Sequence, residues 1–148
     1  MSNNLPKNYP NDIKRLLRQC LFNTQYLNLK VMDYCEDYSM FAIPAFRALE
    51  GHIKYLISET GIVLKTNFNY FQKDTNNLNQ YIFTPKISDL KKKTNIEICY
   101  NFYKLHRDTL CHFGEVSYLN LSNTRFIYSK QESNDLIDRC LNLITTNC

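Results

Sequence analysis

Arg107 and His112 stand five positions apart in the run Leu-His-Arg-Asp-Thr-Leu-Cys-His-Phe-Gly, residues 105–114. Arginine offers a planar fork of donors that fits a phosphate, and histidine moves protons near neutral pH. Together they are sufficient to cut a phosphodiester of RNA without a metal. On a regular helix Asp108 lies four residues before His112 and shares its face, whereas Arg107 and His112 are about 140° apart. The pair therefore converges only if the helix ends or distorts near His112, or if a second copy of the chain supplies the other half. Gly114 is a natural helix terminator just beyond.

A second constellation lies in Phe-Arg-Ala-Leu-Glu-Gly-His-Ile-Lys, residues 46–54. Arg47 and Glu50 are three apart and Glu50 and Lys54 four apart, so all three share one helix face. Taken alone this is a surface ladder of ion pairs, worth little for stability. Taken with the first constellation it is an Arg–Glu pair able to hold phosphate and orient a histidine.

The elements that must carry these residues read as helices. From Asn11, a plausible N-cap, Ile13, Leu16, Leu17, Cys20, Leu21 and Leu27 follow helical spacing to about Leu29. Between Asp37 and Thr60, Phe41, Ala45, Leu49, Ile53 and Leu56 line one side. Asp37 or Ser39 caps that helix, Gly61 stops it, and Pro44 sits in its first turn or kinks it. Residues 65–84 read as a loop with one short helix around Asn76–Tyr81. Ser88 or Thr94 opens a third helix with Ile96, Cys99, Tyr100, Tyr103 and Leu110 on its stripe. Arg107 falls on that same stripe, so it must be paired, face an interface or pocket, or snorkel its head to water. Residues 124–129 alternate and predict a short strand or extended arm. Ser133 caps a last helix that buries Leu136, Ile137, Cys140, Leu141 and Ile144. The expected fold is all-α, an antiparallel bundle of four to five helices in a single domain over residues 1–148, with residues 1–10 a flexible lead.

Composition sets the outer bounds. The chain has 148 residues, 44% hydrophobic and 22% charged, with three glycines and four prolines, too few turn residues for an all-β sandwich. The net charge of +4 permits a polyanionic partner without demanding one. Lys91, Lys92 and Lys93 form the basic run, either a solvated helix face or a weak RNA-binding patch. The six cysteines include no Cys-x-x-Cys pair and follow no signal peptide, so they read as reduced thiols of a cytoplasmic protein. No apolar run approaches the ~20 residues of a membrane span. A zinc site built from Cys99, His106, Cys111 and His112 would have a spacing that matches no standard pattern, so neither metal nor cofactor is expected.

Arg-Asp-Thr-Leu-Cys-His resembles the arginine, polar residue, histidine signature of the HEPN superfamily, all-helical RNases of prokaryotic toxin and defence systems. The stretch Asp-Tyr-Ser-Met-Phe-Ala-Ile-Pro-Ala-Phe-Arg-Ala-Leu-Glu-Gly-His is similar to the HEPN domain of RnlA/LsoA-type toxins, the RNase LS family. The resemblance spans roughly residues 10–146. It implies a HEPN-like bundle and metal-independent endoribonuclease activity of toxin–antitoxin or phage-defence type. Arg107, His112, Glu50 and Arg47 would be the catalytic set, with Asp108 and Lys54 in support. It also implies an RNA substrate, a homodimer in which two Arg–His motifs meet, and an antitoxin protein as partner. The competing expectation is a helical binding module without activity that docks an antitoxin or another protein.

Overall fold

The computed structural model describes residues 5–29, 33, 35–64, 69–111 and 126–147, apart from the side chains of Asp108, Thr109 and Cys111. Four helices and one small hairpin follow in chain order: α1 (Asn11–Leu27), α2 (Ser39–Ser58), β1 (Phe71–Lys73), β2 (Tyr81–Phe83), α3 (Leu90–Cys111) and α4 (Lys130–Thr146). This is the expected all-α helical bundle, with α2 at its centre in contact with α1, α3 and α4. Helix α2 suits that place because it is the most apolar of the four, and Ala42, Ala45, Phe46, Ala48, Leu49, Ile53 and Ile57 are all buried. Small alanines let neighbouring helices approach, and the larger side chains fill the space between. Gly51 makes a closer approach still: a Cβ there would lie 2.9 Å from Ile13 Cγ1 of α1.

The helix starts differ from expectation in instructive ways. Asn11 is the first helical residue rather than the cap, and Pro10 occupies the cap position without a side-chain bond. Asp37 does not cap α2 directly. Its carboxylate accepts hydrogen bonds from the Ser39 amide (2.9 Å), the Ser39 hydroxyl (2.7 Å) and the Ile127 amide (3.1 Å). Burial alone would raise the Asp37 carboxyl; those three donors outweigh it and hold the group below its usual range. Pro44 lies in the second turn of α2, where it removes the bond its amide would have given. Close by, buried Asn23 of α1 donates to the Phe41 carbonyl at 2.9 Å, tying α1 to this part of α2. Asp89 opens α3, its carboxylate accepting from the Lys92 amide at 3.0 Å. Ser129, not Ser133, caps α4 by accepting from the Glu132 amide. Ser133 is buried and donates instead to the Tyr38 carbonyl at 3.1 Å.

The short helix expected around Asn76–Tyr81 is absent; β1 and β2 pair there as an antiparallel hairpin, with Phe71 opposite Phe83 and Lys73 opposite Tyr81. Side chains of Asp74 and Asn77 shape the turn: the Asn76 amide donates to Asp74 and the Asn79 amide to Asn77. Helix α3 acts as the missing third strand. The Asn101 side chain accepts from the Tyr81 amide (2.7 Å) and donates to the Tyr81 carbonyl (2.9 Å), and Glu97 accepts from the Phe83 amide (2.8 Å). Phe71 stacks on Tyr100 of α3 with ring centroids 3.5 Å apart. The arm expected at 124–129 is described only from Phe126, and there it forms no strand ladder. It is held by the bond from the Tyr38 amide to the Ile127 carbonyl at 2.8 Å and by Asp37.

Of the lead expected to be flexible, residues 5–10 are described, and Tyr9 is buried at 2% exposure. Its hydroxyl shares a 2.8 Å hydrogen bond with Nδ1 of buried His52. Among the described residues no helix is long and apolar enough to cross a membrane.

Candidate functional site

Glu50 lies at the centre of the candidate site. Helix α2 places it half-buried, facing α3. One carboxylate oxygen accepts from Lys54 Nζ at 2.7 Å, a turn further along α2, and the other accepts from the Tyr103 hydroxyl of α3 at 3.0 Å. Burial would push the Glu50 carboxyl up. The bonds from Lys54 and Tyr103, with the positive charges of Lys54 and Arg107, outweigh burial and hold it below the usual carboxylate range. Glu50 is therefore an anion at neutral pH with both oxygens engaged. It can fix cations and a hydroxyl, and it is poorly suited to shuttle protons.

Arg107 follows Tyr103 by four residues on α3, so the two lie on one face of the helix. It is half-buried, between the buried residues Tyr103 and Leu110 of its stripe. Its charge reaches Glu50 across the α2–α3 contact. Glu50, Lys54, Tyr103 and Arg107 are thus gathered on two adjoining helices. Arg47 is not part of this group: it is exposed, and the ion pair to Glu50 comes from Lys54.

His112 and the Asp108 side chain lie outside the described residues, as does Gly114. The basic run stands apart from Arg107. Arg107 lies fifteen positions after Lys92, about 22 Å along the axis of α3. Lys92 donates to the Glu59 carbonyl, and Lys93 lies 3.9 Å from Glu97. Only Lys91 of the three is exposed.

Tyr103 is the residue that sequence reasoning missed as a member of the site, having placed it on the apolar stripe alone. The available signal was chemical: a buried tyrosine hydroxyl requires a partner, and a carboxylate on the neighbouring helix is a strong one. His52, two residues beyond Glu50, belongs to the core instead. Burial lowers its pKa to about 4, which keeps it neutral, and its Nε2 has no hydrogen-bond partner among the described residues. His106 packs against Phe46 and Phe102. Cys99 is buried, with its sulfur 3.8 Å from the Asn147 side-chain amide, and no cluster that could hold a metal occurs among the described residues.

A family model described as the RNase LS, bacterial toxin DBD domain, matches residues 1–114. The match takes in α1, α2, the hairpin and α3, and so spans every member of the Glu50 group. No curated protein matches the chain.

Proposed function

The chain belongs to the RNase LS bacterial toxin DBD family, and from its Arg107–His112 spacing we propose further that it is the HEPN endoribonuclease unit of a toxin–antitoxin or phage-defence system. The observation that carries this reading is the Glu50 group. The charge of Arg107, on the stripe of α3, is felt by a carboxylate of α2 that Lys54 and Tyr103 hold in place, an electrostatic setting that suits a phosphate-binding arginine. Arg107 would bind the scissile phosphate and stabilise the charge that builds on its oxygens. His112, five residues on, would take the proton of the ribose 2′-hydroxyl as its oxygen attacks phosphorus. The same residue or its copy in a second chain would return a proton to the departing 5′-oxygen. The products are a 2′,3′-cyclic phosphate and a 5′-hydroxyl, and the step calls for no metal. Two copies of the chain would form a homodimer, each completing the other's Arg–His pair.

The test is cleavage of RNA by the wild-type chain, His112→Ala and Arg107→Ala, all with EDTA present. Wild type should cut. Loss of the histidine should cost about 10²–10⁴-fold, the usual worth of positioned acid–base catalysis. Equal activity in all three chains overturns the assignment.

A second reading, a module that docks an antitoxin and does no chemistry, draws on a different surface. Phe22, Tyr26, Leu29 and Met40 leave 58%, 41%, 49% and 62% of their surface in water where the C-terminal part of α1 meets the start of α2. Large apolar side chains grouped in this way are more typical of a protein contact than of a free face. Intact dimerisation with no cleavage under any condition would favour that reading.

A further inference from the structure

Past the Glu50 group, the β1–β2 hairpin and α3 enclose an open groove of about 310 Å³. Lys73, Leu78, Asn79, Tyr81, Lys104 and Leu105 line it. The groove is built rather than incidental, because Asn101 beneath it clamps both the amide and the carbonyl of Tyr81. The hairpin cannot lift from α3 without breaking those bonds.

The lining is unusual in chemistry. Its described lining residues include two lysines and no acid, and Leu78 and Leu105 leave 68% and 69% of their surface exposed at its rim. Cations beside exposed apolar side chains and amide groups match a nucleotide. A base would cover the leucines, the Asn79 side-chain amide would meet its edge, and the lysines would meet the phosphate. Position adds to this. Lys104 precedes Arg107 by three residues on α3, which places the two about 4.5 Å apart along the axis and about 60° apart around it. A strand whose phosphate lay on Arg107 would run directly into the groove.

We propose that this groove is a subsite for single-stranded RNA, holding the nucleotide that flanks the one bound at Arg107. The inference rests on the nuclease reading for its direction, but its test does not depend on cleavage. A fluorescent oligouridylate of about a dozen nucleotides is titrated by anisotropy against the full chain carrying His112→Ala, so that nothing is cut. The same background then receives Lys73→Gln, Lys104→Gln, both together, or Leu105→Ser.

The double lysine variant should bind about tenfold more weakly at low salt. The slope of log Kd against log salt should fall by about 0.7 for each lysine removed, as expected for single strands. Leu105→Ser should weaken binding without changing that slope. Binding losses of this kind in a chain that never cuts RNA would sustain the groove and remove the nuclease reading. Unchanged oligouridylate binding by the double variant, or no binding by the parent, overturns the groove whether or not the chain cuts.

Discussion

The phenolic oxygen of Tyr103 lies 3.0 Å from one carboxylate oxygen of Glu50, joining α3 to α2 one turn before Arg107. Lys54 holds the other oxygen, so the carboxylate has no freedom to turn without losing a bond. On the proposed reading Tyr103 would be a positioning residue, acting on Arg107 through the Glu50 anion that feels its charge.

Tyr103→Phe should destabilise the fold by about 1 kcal/mol and Glu50→Leu by about 1–3 kcal/mol, and the double variant by less than their sum, because the Tyr103–Glu50 hydrogen bond is lost in all three. The pH dependence has a definite sign. The folded carboxyl of Glu50 titrates below its unfolded value, so its contribution is present above that unfolded value and is lost as pH falls through the folded one. Urea unfolding at pH 7 and near pH 3 should therefore show a smaller acid loss for Glu50→Gln than for wild type. Strict additivity of Tyr103→Phe and Glu50→Leu would contradict the bond.

Arg107→Lys separates charge from geometry. Lysine keeps the positive charge beside Glu50 and gives up the planar fork that grips two phosphate oxygens at once. RNA cleavage should drop about tenfold or more, while unfolding midpoints stay near those of wild type. Full activity with lysine would show that only charge is required there.

His52 predicts a separate acid transition. Its folded pKa of about 4 lies below the ordinary 6.5 because burial disfavours the charged ring. The unfolded chain therefore binds a proton that the folded chain refuses, and stability falls as pH drops from 6.5 toward 4 and levels off beneath that. The full change is about 3 kcal/mol. His52→Gln should flatten stability across that window even if its stability at pH 7 is lower. A wild-type chain equally stable at pH 6.5 and 4.5 would show that the ring is already charged or exposed.

Legibility followed the range of the interactions. The stripes of α2, α3 and α4 could be read because apolar residues recur at helical spacing over several turns; Ile96, Cys99 and Tyr100 are buried as their spacing requires. The start of α4 lies one turn before the Ser133 cap expected, although the sequence carries its signal. Ser129 and Glu132 form the Ser-x-x-Glu pattern of a capping box, whereas Ser133 is drawn inward by a carbonyl 95 positions away. The hairpin could not be read in this way, since strands of three residues carry no periodicity and depend on Asn101 and Glu97 of a later helix. The site divides similarly. The shared face of Arg47, Glu50 and Lys54 is local, but the preference of Glu50 for Lys54 and Tyr103 over Arg47 depends on how α2 packs against α3.

Gly51 offers the sharpest check on the packing of α2 against α1. An added Cβ would meet Ile13 Cγ1 at 2.9 Å and Cδ1 at 3.2 Å, and Ile13 is itself buried. Gly51→Ala should therefore cost about 1–3 kcal/mol through overpacking, despite the gain of roughly 1 kcal/mol that alanine brings to a helix interior. Ile13→Ala alone opens a cavity and costs about 2–5 kcal/mol. With Ile13 already truncated the obstacle is gone and only the helical preference remains, so Gly51→Ala should change sign and stabilise the chain. Urea midpoints for the four chains of this cycle measure that reversal. If Gly51→Ala stabilises both backgrounds equally, the two helices do not meet at this point.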